Sequence, residues 1–174
     1  MASTRDERML RLSKMAATEI ALLKEGVSIE AFFSQTIDDA LYQAIADRLD
    51  LADSFLATAN RMRRARSDMH RATVGRYYYA MYHAFRAVAF QSKRGDDFQK
   101  HSDLANAIPG DFPNASVAQN DLKSARLTRN EADYDPYPAS SNHFKAAVAT
   151  LAPLASTYVV QARIYVRLKG NPYA

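Results

Sequence analysis

The sequence predicts an all-α protein, an up-and-down bundle of about four main helices plus an extra N-terminal helix. Three observations lead to this fold class: apolar residues recur at spacings of three and four, only five glycines interrupt that pattern, and strand signals are almost absent. Long helices with short connections pack as antiparallel neighbours. With 174 residues and 48% hydrophobic content, we expect a single helical domain over 1–174, with 1–40 as an N-terminal helical extension.

The first half of the chain contains three predicted helices. The first lies near 5–25 and ends at Gly26, and the second runs from about 28 or 36 to 66. The third covers 69–94, with Asp68 as its N-cap. An apolar stripe at spacings of four and three predicts the buried face of this third helix: Val74, Tyr78, Met81, Phe85 and Val88.

The second half continues the helical pattern. A short helical turn is predicted at 102–108, a fourth long helix at 115–133 and a last one at 141–169. Pro153 lies inside the last segment and is expected to bend or interrupt it, because proline cannot donate a hydrogen bond to the preceding turn. Two turn-forming segments, FPNAS and DPYPASS, bracket the fourth helix.

Composition narrows the classes of function. The chain has no cysteine, which excludes disulfides and thiolate metal sites, and its four histidines are too dispersed to indicate a metal centre. It has no apolar leader and no membrane-length apolar span, so we expect a cytoplasmic protein without a membrane partner or a cofactor. Of its 23 basic residues 16 are arginine, which suits bidentate recognition of phosphate or carboxylate.

A polar face lies at the C-terminal end of the predicted fourth helix, in the segment RLTRNEADYDPY. Spacings of three and four place five side chains of this segment on one face: Arg126, Arg129, Asn130, Asp133 and Tyr134. One interpretation is a solvated face with an Arg129–Asp133 ion pair, worth about a few tenths of a kcal/mol. The other is a binding site, because Arg129 also lies at the edge of the apolar side of this helix.

A second polar line runs along the predicted third helix, beside its core-facing stripe. It combines arginines, aromatic rings and a histidine at the same spacing: Arg76, Tyr79, His83, Arg86 and Phe90. His83 taken alone fits an imidazole satisfied by neighbouring groups. The face as a whole is too aromatic to remain solvated and too polar for the core of a monomer. We therefore predict that a second copy of the chain covers it, or that it lines a cleft.

Three motifs in order resemble one known family. The strings GRYYYAMYHAFRAVAF, KHSDLANAIP and RNEADYD, followed by an Ala-rich helix, look like the HEPN domain superfamily over about residues 45–168. The resemblance implies a homodimer with a composite cleft between its protomers, and frequently ribonuclease activity in toxin–antitoxin or antiviral systems. It also implies a small nucleotidyltransferase, acting as antitoxin, as a partner.

The chain departs from the family pattern at one position. Active HEPN ribonucleases carry an arginine and a polar residue followed by a histidine; Arg129 and Asn130 fit, but Tyr134 fills the histidine position. A phenol, with an ordinary pKa of about 10, is a poor general base at neutral pH. About one further arginine–histidine match to the bare spacing is expected by chance, and the chain has three: Arg64 with His70, Arg76 with His83, and Arg94 with His101. Of these we favour Arg76 with His83, because both lie on the face that should adjoin the helix of Arg129.

The sequence therefore predicts a homodimer that binds RNA or a nucleotide in a cleft formed by the third and fourth helices of both chains. Arginines hold phosphate there, Asp133 orients Arg129, and tyrosines stack on bases. The predicted binding residues are Arg76, Arg126, Arg129, Asn130, Asp133, Tyr134 and Tyr137. A metal-independent ribonuclease is the alternative, and its catalytic residues are Arg129, Tyr134 and His83. A third hypothesis is a scaffold that only engages a nucleotidyltransferase.

Overall fold

The computed structural model describes residues 4–65, 69–98, 100–138, 140 and 142–174, and these residues form helices without any strand. The predicted all-α class is confirmed, and further helices precede the bundle at the N-terminus. None of the helices in the described part of the chain is both long and apolar enough to cross a membrane. The helices are α1 Arg5–Leu12, α2 Ala17–Phe33, α3 Ile37–Arg64, α4 His70–Lys93, α5 Leu104–Ala107, α6 Ala115–Tyr134 and α7 His143–Leu168.

The chain forms two compact units, Met1–Leu41 and Tyr42–Ala174. The second unit contains the buried core, whose largest fully buried side chains include Tyr77, Tyr78 and Phe85. In the first unit no described residue is buried, although α1 and α2 are rich in large apolar side chains. The apolar surface of the first unit is therefore left uncovered within that unit.

Two helices, α1 and α2, replace the single helix predicted for 5–25. α1 stops after eight residues, and a new helix starts where the Glu19 carboxylate accepts a hydrogen bond from Ala16 N at 2.8 Å. α2 then passes through Gly26 and ends only where Ser34 adopts a left-handed conformation with φ 53°. The prediction is wrong because a glycine inside a helix costs only about 1 kcal/mol, which good helix formers around it offset.

α3 begins at the later of its two predicted positions. Asp39 N donates to Thr36 Oγ1 at 3.1 Å and so caps the first turn at Ile37. Near the other end of α3, Asn60 Oδ1 accepts a hydrogen bond from Tyr77 Oη at 2.7 Å. This contact joins the C-terminal end of α3 to the N-terminal part of α4, so the two helices run antiparallel.

α4 lies at the centre of the bundle. Fourteen of its 24 residues are buried, so neighbouring elements cover it on nearly all sides. It packs most extensively on α7, and the two helices run parallel: Arg71 lies over the Phe144 ring near one end, and Gln91 Nε2 donates to Lys169 O at the other. α3 and α6 run in the opposite direction beside α4. This is the predicted up-and-down arrangement.

The three long helices after α3 begin and end within two residues of the predicted 69–94, 115–133 and 141–169. The predicted N-cap Asp68 lies outside the described residues. Pro153 does not interrupt α7, which continues through it. Its side chain lies on the exposed side of the helix, where solvent can hydrogen-bond the carbonyl that proline leaves without a donor.

Candidate functional site

Arg129 is held at the junction of α6 and α4 by contacts to each of its three nitrogens. Its Nη2 donates to Tyr79 Oη at 2.9 Å, its Nη1 donates to Asn130 Oδ1 at 3.2 Å, and its Nε lies 2.8 Å from Asp133 Oδ2. The guanidinium also lies 5.5 Å from the Tyr79 ring centroid and 5.7 Å from that of Tyr134. Tyr134 also hydrogen-bonds the guanidinium, so most of the N–H groups of Arg129 are engaged within the chain.

The structure thus brings together four of the residues predicted for one face of α6: Arg129, Asn130, Asp133 and Tyr134. The ion pair expected of a solvated face is present, but the Arg129 side chain is only 20% exposed. Burial by itself lowers the pKa of Arg129, but Tyr79 and Asp133 outweigh it, so the pKa is raised overall. Arg129 is a permanent, fixed cation.

Arg126 lies one turn before Arg129 on α6 and is half-buried. Its charge is close enough to act on the phenol of Tyr78 and on the imidazole of His101. Among the residues that the structure describes, no carboxylate forms an ion pair with Arg126. Arg126 therefore adds a positive charge, without a carboxylate partner among the described residues, next to the fixed charge of Arg129.

His101 reaches the same place from the loop between α4 and α5. Its imidazole stacks on Tyr82, with ring centroids 4.2 Å apart, and its Nδ1 lies 2.6 Å from Tyr78 Oη. Burial, followed by the charges of Arg129 and Arg126, lowers the pKa of His101 below its ordinary value of 6.5. The ring is therefore neutral at pH 7, even though the residue is exposed.

The hydrogen bond between Tyr78 and His101 fixes the tautomer of the imidazole. Burial is the main cause that raises the pKa of Tyr78, so the phenol keeps its proton. We assign this hydrogen to the bond with His101 Nδ1, because the described residues offer Tyr78 Oη no other hydrogen-bond partner. In a neutral imidazole the ring hydrogen then lies on Nε2. His101 thereby offers an N–H donor at the surface, beside Arg126 and Arg129.

Sequence reasoning assigned no role to His101. Its hydrogen bond to Tyr78 joins residues 23 positions apart, which the spacing of arginines and histidines along the chain cannot detect. One sequence signal for such a contact was available. Tyr78 and Tyr82 lie one turn apart on α4, and their rings form a platform on which a planar side chain can stack.

His83 lies under α3. Its ring stacks on Phe55 with centroids 5.3 Å apart and planes within 9°, and its Nδ1 is buried without a hydrogen-bond partner among the described residues. Burial, followed by the charges of Arg48, Arg86 and His101, lowers the pKa of His83 to about 4. His83 is therefore neutral at pH 7. Its catalytic role stays a prediction.

Phe55 also covers the neighbours of His83 on α4. Its ring centroid lies 5.5 Å from that of Tyr79, and the guanidinium of Arg76 lies 5.5 Å from the Phe55 ring. α3 of the same chain thus covers much of the aromatic face that was expected to require a second copy. The homodimer stays a prediction, but this face does not support it. The rings of Phe55 and Tyr79 also lie between the guanidinium groups of Arg76 and Arg129.

A further excess of positive charge lies beside this site, where α3 meets the end of α4. Asp96 Oδ1 accepts from Arg86 Nε at 2.7 Å, and Asp96 Oδ2 accepts from Arg48 Nη2 at 3.2 Å. One carboxylate is thus paired with two guanidinium groups, so this group of three residues keeps a net charge of one positive unit. The charge of Arg86 also acts on His101, so cations from both α4 and α6 surround the imidazole.

Tyr134 and Tyr137 present open rings at the C-terminal end of α6, where they are 74% and 87% exposed. Arg71 anchors this end of the helix, because its Nη1 donates to Ala132 O at 3.0 Å and to Asp135 O at 2.7 Å. The end of α6 that carries Tyr134 is thus held in place, while the faces of both tyrosine rings remain open to a ligand.

Compared with protein-family models, with curated proteins and with solved structures, the chain matches none of them. The resemblance to the HEPN superfamily therefore rests on the three sequence motifs alone. Within the described part of the chain, no group of three His, Asp or Glu side chains is placed to hold a metal ion. The chemistry of the site lies in its arginines, its imidazole and its tyrosines.

Proposed function

We propose that the protein binds single-stranded RNA or a nucleotide through phosphate groups. The phosphate surface is defined by Arg126, Arg129 and His101. The observation that carries the proposal is the charge of Arg126, which has no carboxylate partner in the described part of the chain, beside a fixed guanidinium and a neutral N–H donor. Guanidinium groups form short, charge-assisted hydrogen bonds to phosphate oxygens, and their planar fork matches two of these oxygens at once.

The exposed tyrosines favour a ligand with unpaired bases. Tyr134 and Tyr137 follow the arginines of α6 directly and expose most of their ring surface. Stacking of a base on an aromatic ring contributes about 1–3 kcal/mol and requires a free base face. Nucleotides and single strands have such faces, whereas the bases of an RNA duplex are already stacked on each other.

The tautomer of His101 suits this residue to binding rather than to cleavage. Cleavage of RNA by attack of a 2′-hydroxyl needs a base that accepts the hydroxyl proton. Donation from Tyr78 to Nδ1 leaves Nε2 protonated, so His101 is prepared to donate to a phosphate oxygen. His101 therefore does not supply that base, and the alternative, a ribonuclease in which Arg129, Tyr134 and His83 act, has to find it elsewhere.

The motif resemblance extends the proposal to the biological setting. As a HEPN-type protein, the chain acts as a homodimer in the cytoplasm, in a toxin–antitoxin or antiviral system with a nucleotidyltransferase antitoxin as partner. The scaffold hypothesis shares that partner but predicts no affinity for RNA. Measuring RNA binding therefore separates the two hypotheses.

The test is the loss of RNA affinity when one positive charge is removed. Fluorescence anisotropy with a short labelled single-stranded RNA, and with ATP as competitor, measures the affinity. Arg126→Gln is expected to weaken binding roughly tenfold, since a hydrogen bond to a charged group contributes about 1.5 kcal/mol. The slope of log affinity against log salt should become shallower by about 0.7, the loss of one phosphate contact to a single strand.

Arg163→Gln is the matched control. It removes the same charge, but Arg163 Nη2 is paired with Asp50 at 2.8 Å and with Asp53 at 2.6 Å, where α7 meets α3. The control should leave affinity nearly unchanged. Equal losses in the two variants would show that only net charge matters, and a wild type without measurable affinity for RNA or ATP would refute the proposal outright.

A further inference from the structure

α2 carries apolar side chains on two opposite faces. Successive residues of a helix turn by about 100°, which places Ile20, Leu23 and Val27 on one face. The same geometry places Leu22, Ile29 and Phe33 on the opposite face. The first face, together with Leu12 of α1, lines a groove of about 390 Å³. A helix with apolar surface on both sides is stable only when both sides are covered.

The first unit exposes more apolar surface than a monomer usually tolerates. Nine of its large apolar side chains are between 38% and 82% exposed: Met9, Leu10, Leu12, Ile20, Leu22, Leu23, Val27, Phe32 and Phe33. At roughly 200 Å² for a large side chain, this is on the order of 1,000 Å² of apolar surface. This surface is spread over two helices and over both faces of α2; a contiguous apolar patch on a monomer rarely exceeds a few hundred Å², and a stable protein interface takes about 800 Å² from each partner.

The net charges of the two helices are opposite in sign, while the carboxylates of Glu7, Glu19 and Glu30 accept backbone hydrogen bonds at helix N-termini. Between residues 5 and 14 there are four basic and two acidic residues, a net charge of +2, whereas α2 has one basic and three acidic residues, a net charge of −2. Among the residues described in this unit, none of these charges forms an ion pair with the other helix. α2 therefore presents a surface that matches α1 of another molecule in charge as well as in hydrophobicity.

We infer that the helices α1 and α2 of two copies of this chain pack together as a two-fold dimer, with α1 of each copy along α2 of the other. A two-fold axis uses the same pair of oppositely charged helices twice, so both charge differences are satisfied in one closed interface. The inference rests on the homodimer of the proposed function and assigns it a surface; it does not depend on binding of RNA.

Sedimentation velocity on the full chain tests the surface. The wild type is expected to be a dimer at micromolar concentration, and Leu22→Gln with Val27→Gln, which places one polar group on each face of α2, should be a monomer there. Both residues are more than two-thirds exposed, at 72% and 68%, so the change does not disturb a packed core. Val160→Gln, at an exposed apolar position of α7, should leave the dimer intact.

A charge reversal tests the pairing of the helices. Arg8→Glu with Arg11→Glu changes the charge of the α1 segment from +2 to −2, so the dimer should weaken at least tenfold at low salt and recover partly at high salt. A dimer that survives either double variant would overturn this surface and leave the homodimer standing. A monomeric wild type would overturn both, and a monomer that binds lipid vesicles through these helices would identify a membrane as the occupant. RNA affinity, measured on the same samples, reports separately on the phosphate surface.

Discussion

The fold should lose stability in acid because of His83, and His83→Phe should remove that loss. The neutral imidazole stacks on Phe55, and its buried Nδ1 has no acceptor for a proton among the described residues. The pKa of His83 is about 4 in the folded chain, against about 6.5 for a histidine in the unfolded chain. Between these values the unfolded chain binds a proton that the folded chain does not, so stability falls as pH falls.

The magnitude follows from the two pKa values. For each pH unit between these two pKa values, the free energy of unfolding changes by about 1.4 kcal/mol. The interval from 6.5 to about 4 therefore corresponds to a loss of roughly 2–3 kcal/mol, after a reduction for the partial exposure of the ring. The stabilisation is fully present above the unfolded value and is lost as pH falls towards the folded value. The lowered pKa of His101 adds a loss of the same sign.

Urea unfolding of wild type and His83→Phe, followed by circular dichroism at about pH 7.5 and about pH 4.5, measures the effect. Phenylalanine keeps the stack and removes an unpartnered buried nitrogen, so the variant should be at least as stable at the higher pH. Its free energy of unfolding should fall less in acid, by roughly 2 kcal/mol, because protonation of carboxylates affects both proteins equally. Equal acid sensitivity of the two proteins, or a His83 pKa near 6.5 in an NMR titration, would refute the reasoning.

Three further predictions concern the site itself. Arg129→Ala should abolish RNA binding while helicity by circular dichroism is unchanged; a large loss of helicity would favour a structural role instead. Tyr134→His should create or increase RNA cleavage, since an imidazole in this position supplies acid–base catalysis worth typically about 10² to 10⁴ in rate, and Arg129→Ala in that background should remove it. Tyr78→Phe should weaken RNA binding at neutral pH but not in acid, where a protonated His101 carries both N–H groups regardless of Tyr78.

The helical bundle could be predicted because the sequence signals for it, apolar spacing and turn residues, are local. The apolar stripe of α4 predicts a helix by its spacing, and turn chemistry before and after α6 sets the bounds of that helix. The break between α1 and α2 was missed for a local reason too: Glu19 starts the new helix after Ala16, which is not a residue type that marks an N-cap.

The site was predictable only in part, because its remaining contacts are long-range. One face of α6 follows from helical spacing, so the group around Arg129 could be assigned from the sequence. His101 and Phe55 could not, because each reaches α4 from another element, and no periodicity in one segment reports on that contact. The same contacts explain why a face of α4 that looks unpartnered in the sequence is covered in the fold.

Observation of the side chains themselves during an RNA titration tests the central claim most directly. NMR of isotope-labelled wild type resolves the guanidinium Nε–H signals of Arg126 and Arg129 and the imidazole nitrogens of His101. Adding short single-stranded RNA is expected to shift these signals together, with one affinity, while the Arg163 signal stays in place because its charge is already paired with Asp50 and Asp53 through Nη2. No shift at saturating RNA, or an equal shift of Arg163, would contradict the phosphate surface.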